Sequence, residues 1–100
     1  MRIIKFDAAL DMPTLGDYEA AIQNVVDETA REVRFRDGVH LASYVASTDP
    51  LWAAQAKAFI AWRDGVWKYS FAELAKVESG ARLQPTIAAF LTEIIPIVWP

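Results

Sequence analysis

The 100-residue chain is 54% hydrophobic with a mean hydropathy of +0.15, enough for one domain with one core and too apolar to stay disordered. Its formal net charge is −3, with nine acids and five bases in residues 1–50 and four acids and five bases in residues 51–100. No block of Lys and Arg of the kind that drives nonspecific nucleic-acid binding is present, and no apolar run approaches the roughly 20 residues that span a bilayer.

In chain order, Ile3, Ile4 and Phe6 predict a short extended segment within residues 1–12, ended by Met12-Pro13. Thr14-Leu15-Gly16-Asp17 reads as a capping box with Asp in place of the usual Glu or Gln. Tyr18, Ile22, Val25, Val26, Thr29 and Val33 then recur at helical spacing, which predicts an amphipathic helix over about 14–34. Its polar face offers Asp27 to Arg31 as a favourable i,i+4 pair and Glu28 to Glu32 as an unfavourable one. Leu41, Tyr44 and Val45 mark a short second helix, about 38–46.

Thr48-Asp49-Pro50 is a helix start, with a capping side chain and then proline where its missing N–H costs nothing. The run that follows reaches Ser79 and closes at Gly80, predicting a helix over about 50–79, roughly 45 Å long at 1.5 Å per residue. On a helical wheel its large apolar side chains cover roughly 200°, wider than a surface helix needs, so the helix reads as one built to be surrounded. Trp52, Trp62 and Trp67 are accordingly expected in the core. Phe35-Arg36-Asp37-Gly38-Val39 echoes Trp62-Arg63-Asp64-Gly65-Val66 at an offset of 27 residues. If the first copy is a helix junction, the second could break the long helix at Asp64-Gly65, although the apolar arc runs on in phase across it. Ile87, Phe90, Leu91 and Ile94 predict a last short helix, about 86–95, followed by an apolar tail over residues 96–100. The fold class expected is all-α, one domain with the long helix packed by the N-terminal helix and the two short ones.

Chemistry is sparsely signalled. With no cysteine there is neither a disulfide framework nor a thiolate. The single histidine, His40, lacks an oriented partner in any recognisable motif and reads as a solvent-facing residue at a helix start. Asp7 with Asp11, and Glu28 with Glu32, lack the histidine or the oxygen-rich loop of a metal site. No catalytic residue, cofactor or metal is expected. Arg63 departs from the pattern, because its wheel position falls inside the apolar arc, where a guanidinium needs an acid, an aromatic face or a route to water. The partners expected are Trp52, Trp67 or an acid of the first helix. Ile97, Val98 and Trp99 form a segment that must dock, on the chain itself or on a partner. Trp99, Val98, Ile97, Arg63 and Trp52 are therefore the candidate interaction residues.

The run from Phe35 through Ala42-Ser43-Tyr44, Ser47-Thr48-Asp49-Pro50 and Ala61-Trp62-Arg63-Asp64 to the ending Val98-Trp99-Pro100 resembles small helical proteins of phages and prophages. These are encoded near tail and tail-fibre genes. The resemblance covers roughly residues 14–100 and implies a non-enzymatic accessory protein acting through a tail-associated protein partner or self-association. From the charge distribution and hydropathy no nucleic-acid or membrane partner is expected, and the location expected is cytoplasmic or virion-associated. The alternative from another class is a small dimeric regulatory or ligand-binding helical domain with a pocket near Arg63.

Overall fold

The computed structural model describes residues 12–100, and all regular structure among them is helical. Four helices follow one another: α1 (Leu15–Arg31), α2 (Gly38–Ala42), α3 (Pro50–Ser79) and α4 (Ile87–Leu91). The extended segment expected over residues 1–12 lies, Met12 apart, outside the described residues.

Helix α1 starts as the sequence dictates. The Asp17 amide donates to Thr14 Oγ1 at 3.2 Å and the Thr14 amide to Asp17 Oδ2 at 2.8 Å, so each of the two amides finds an acceptor in the other residue's side chain. Tyr18, Ile22, Val26 and Ala30 form a row four residues apart, and all four are buried. The helix ends three residues short of the predicted 34. The Phe35 amide reaches Ala30 O at 3.3 Å and the Arg34 amide reaches Arg31 O at 3.0 Å, the paired bonds of a Schellman motif. That motif needs a left-handed residue, and Arg34 supplies it at φ 72°. The same motif ends α3, where Ala81 bonds Lys76 O and Gly80 bonds Val77 O. There the left-handed residue is a glycine at φ 81°, free of the steric cost of about 1 kcal/mol that a side chain adds.

Arg31 pairs with Glu28 rather than Asp27. Asp27 instead accepts the Gly38 amide at 2.9 Å and so ties the start of α2 to α1. At Gly38 a Cβ would stand 3.1 Å from Phe59 Cζ and 3.3 Å from both Asp27 Oδ1 and Val26 Cγ1, so glycine is what lets α1, α2 and α3 meet. Helices α2 and α4 are shorter than the predicted 38–46 and 86–95. After Ala42 and Leu91 the chain turns on i→i+3 bonds (Tyr44 to Leu41, Val45 to Ala42, Glu93 to Phe90, Ile94 to Leu91), a tighter winding that does not propagate far.

Helix α3 keeps the predicted bounds and runs unbroken through Asp64-Gly65. Asp49 caps it, accepting the Trp52 amide at 3.0 Å, with Pro50 in the first turn. It is not surrounded, however. Its buried residues, Ala56, Phe59, Val66, Ser70, Leu74 and Val77, occupy only about 80° of the wheel. Helix α2 packs on both α1 and α3, and α1 touches α3 and α4. The flanks stay open: Leu51, Tyr69 and Phe71 are exposed, and so is Trp52, at 45%. Trp52 lies on the buried meridian of the wheel but in the first turn, where no element among the described residues covers it; this corrects the expectation of a core residue. Trp62 and Trp67 do pack against the core, partly buried.

Two substitutions probe these joints. Gly38→Ala is expected to lower stability by about 1–3 kcal/mol, because its three neighbours are held by packing. Arg34→Gly is expected to raise it by about 1 kcal/mol by relieving the left-handed residue. Urea denaturation of both variants checks the pair. A neutral Gly38→Ala or a destabilised Arg34→Gly would contradict the reading.

Candidate functional site

Two hollows open on the surface of α3. The first lies between the middle of α3 and the strap that follows α4. Ala61, Trp62, Gly65, Val66 and Tyr69 form one wall, and Glu93, Ile94 and Ile95 the other, around about 290 Å³. The strap is fixed to the helix at both ends of this groove. At one, the Trp62 indole donates to Ile95 O at 2.7 Å. At the other, Glu93 accepts from the Tyr69 hydroxyl and from Arg82 Nη2, each at 2.5 Å. Arg82 also donates to Glu73 Oε1 at 2.9 Å and lies 5.5 Å over the Phe90 ring, while Lys76 reaches Glu73 Oε2 at 2.7 Å. Arg82 is thus a clasp that holds the segment after α3 and the segment after α4 against one face of the long helix.

The groove is apolar apart from Glu93 and the Tyr69 hydroxyl, and these two are already bonded to each other. Its floor holds Gly65, where a Cβ would meet nothing within 4 Å. A glycine inside a helix costs about 1 kcal/mol relative to alanine, and here no contact among the described residues requires it.

The second hollow, of about 320 Å³, lies where α1, α2 and the start of α3 converge, lined by Val33, Arg34, Phe35, His40, Tyr44 and Trp52. Its rings meet edge to face: Phe35–Tyr44 at 4.8 Å, Phe35–His40 at 5.2 Å, His40–Tyr44 at 5.5 Å and Tyr44–Trp52 at 5.8 Å. His40 is half-buried rather than solvent-facing, because its Nδ1 accepts the Arg36 amide at 2.9 Å.

The sequence-predicted residues are scattered. Arg63, with 34% of its side chain exposed, donates through Nε and Nη2 to Asp64 Oδ1 at 3.0 and 2.8 Å. Its partner is thus its neighbour rather than a tryptophan or an acid of α1, and it lines neither hollow. The tail docks on its own chain. Ile97 and Trp99 pack against the core cluster, the Trp99 indole donates to Glu32 Oε1 at 3.1 Å, and Val98 between them stays 88% exposed. Trp52 alone of the candidates lines a hollow. Sequence reasoning missed Arg82, whose acids lie 9 and 11 residues away, and it missed the groove; the mid-helix glycine flanked by Ala61 and Ala72 was the signal for the latter.

Among the described residues no group of His, Asp and Glu could hold a metal ion, and no helix is long and apolar enough to cross a membrane. Compared with known proteins, the sequence matches no family model, no curated protein and no solved structure.

The clasp predicts a pH response. Arg82, and after it the Tyr69 hydroxyl, hold the Glu93 carboxyl below the ordinary 4.5. Lys76 foremost, with Arg82, lowers that of Glu73. Both groups bind protons less readily folded than unfolded, so their contribution is complete above about pH 4.5 and is lost as pH falls through the lowered folded values. The urea midpoint should therefore fall over that range, and should fall less in Glu93→Gln, with added salt shrinking the difference. Identical pH profiles for the two proteins would contradict the clasp.

Proposed function

We propose that this chain is a non-enzymatic interaction protein that binds a protein partner in the groove along α3, and that the partner is a tail-associated protein of a phage or prophage. The observation that carries the reading is Gly65. An open, apolar groove is lined by a helix glycine that packing among the described residues does not need, and a missing side chain there lets a partner's backbone approach α3 closely. Exposed Tyr69 and Ile95 at the rim supply the large apolar contacts that dominate interfaces. The carboxylate that lines the groove is held by two donors, which suits a scaffold better than a general base. The resemblance to proteins encoded beside tail genes supports a tail partner.

The test is co-expression with tail-associated proteins of phages and prophages, followed by size-exclusion chromatography. At Gly65 an added Cβ meets nothing within 4 Å, so Gly65→Leu puts a side chain at the groove and replaces a poor helix former with a good one. The variant should be at least as stable as the parent, with the complex lost. A complex that survives Gly65→Leu, or its absence with the parent protein, would overturn the reading; a dimer of the chain itself that Gly65→Leu dissolves would replace the tail partner by a second copy.

A further inference from the structure

We infer that the occupant of the groove is an amphipathic α-helix of the partner, with its apolar face in the groove and an acidic flank against Lys57 and Lys68. This rests on the groove's being a partner site and adds the chemistry of the partner.

Two observations carry it. The first is that the polar atoms of the groove are already engaged. The Trp62 indole donates to Ile95 O, and the Tyr69 hydroxyl and Arg82 both donate to Glu93. The rest of the lining is apolar. An extended segment laid there would bring backbone N–H and C=O groups that find no partner. A helix bonds its own backbone and brings only side chains. The strap offers no edge for a strand to join, because Pro96 and Pro100 lack N–H groups and Ile95 O is taken. Small ligands are mostly enclosed, whereas this hollow opens along α3.

The second is charge. Going round α3 at about 100° per residue, the wall passes from Trp62, on the strap side, through Tyr69, Gly65 and Ala61 to Lys68 and Lys57. Both lysines are exposed, and neither has an ion-pair partner among the described residues. The charged residues of α3 from Lys57 to Lys76, with Arg82 and Glu93, are five bases (Lys57, Arg63, Lys68, Lys76, Arg82) and three acids (Asp64, Glu73, Glu93). Each of these acids is ion-paired: Asp64 with Arg63, Glu73 with Lys76 and Arg82, and Glu93 with Arg82. Glu78, in the last turn, stands about 15 Å along α3 from Lys68, beyond the screening length of about 10 Å.

The open side of the groove therefore carries two uncompensated ammonium groups, and carboxylates complement them. Lys57 and Lys68 are 11 residues apart, roughly 16 Å along the helix. Three turns of a partner helix cover the same distance, so one flank of it can meet both. A lipid surface is the poorer match, because two lysines fall short of the cluster of about four to eight that such a surface calls for.

The experiment is an NMR titration of the full ¹⁵N-labelled chain with the peptide acetyl-AQLEAQLEQLEAQLEAQL-amide, which as a helix sets a stripe of glutamates beside a stripe of leucines. A twin with lysine at each glutamate, and vesicles of phosphatidylcholine with phosphatidylglycerol, are run in parallel. The acidic peptide should shift the Trp62 indole and the amides of residues 57–69 and 93–95, and bind about tenfold or more tighter than its twin. The double variant Lys57→Glu, Lys68→Glu, changed only at exposed positions, should invert that order, and Gly65→Leu should lose both peptides. Equal binding of the two peptides, an order unchanged by the charge reversal, shifts centred elsewhere, or binding of the vesicles alone would each overturn the inference. Failure of the acidic peptide beside a tail complex that Gly65→Leu dissolves would overturn the acidic helix and leave the groove as the partner site. Acidic-peptide binding that survives Gly65→Leu would overturn both.

Discussion

Everything in this structure answers to the length of α3. A 30-residue helix is about 45 Å long, and the described residues extend 56 × 21 × 19 Å. Helix α1, at 17 residues, is little more than half as long, and α2 and α4 have five residues each. That is too little chain to sheathe a rod whose apolar side chains spread over most of its circumference. The fold resolves this by covering one narrow stripe over most of its length, with Phe59, Val66 and Leu74 in one buried cluster with Tyr18, Ile22, Val26, Leu41 and Phe90, and by leaving the flanks open. The exposed apolar surface is a consequence of that economy of chain, and both hollows lie along it.

Holding so little chain against so long a helix takes fixed points rather than area. Gly38 brings three helices to van der Waals contact. Arg82 gathers Glu73, Glu93 and the Phe90 ring at one end. Gln84 donates to Pro13 O at 3.0 Å and to the Tyr18 hydroxyl at 3.2 Å, while Tyr18 in turn reaches Pro85 O, which sews the start of α1 to the segment before α4. Trp62 and Trp99 then pin the strap and the tail through their indole N–H groups.

What the sequence discloses follows from how local each cause is. The bounds of α3 were legible because Asp49-Pro50 and Gly80 are start and stop signals that act within a turn. The end of α1 was not, because its stop is an arginine in a conformation that sequence reserves for glycine. Trp52 has the wheel position of a core residue, and it is exposed because no element among the described residues lies above the first turn of α3. Arg63 stood out on the wheel yet pairs with its neighbour, whereas Arg82, invisible to periodicity, is the hub, since its partners meet only after the chain has folded back. The groove depended on a long-range approach of residues 93–95 to residues 61–69, which no local pattern encodes.

The claim on which the account rests is that α3 is one continuous rod through Gly65, so that groove and aromatic corner share a rigid frame. Native-state hydrogen exchange along α3 tests it most directly. The account predicts that the amides of residues 61–69 exchange as slowly as those around Phe59 and Leu74, with no step at Asp64-Gly65. Fast exchange confined to residues 63–67, with protection on both sides, would mean two helices joined by a hinge, and would contradict it.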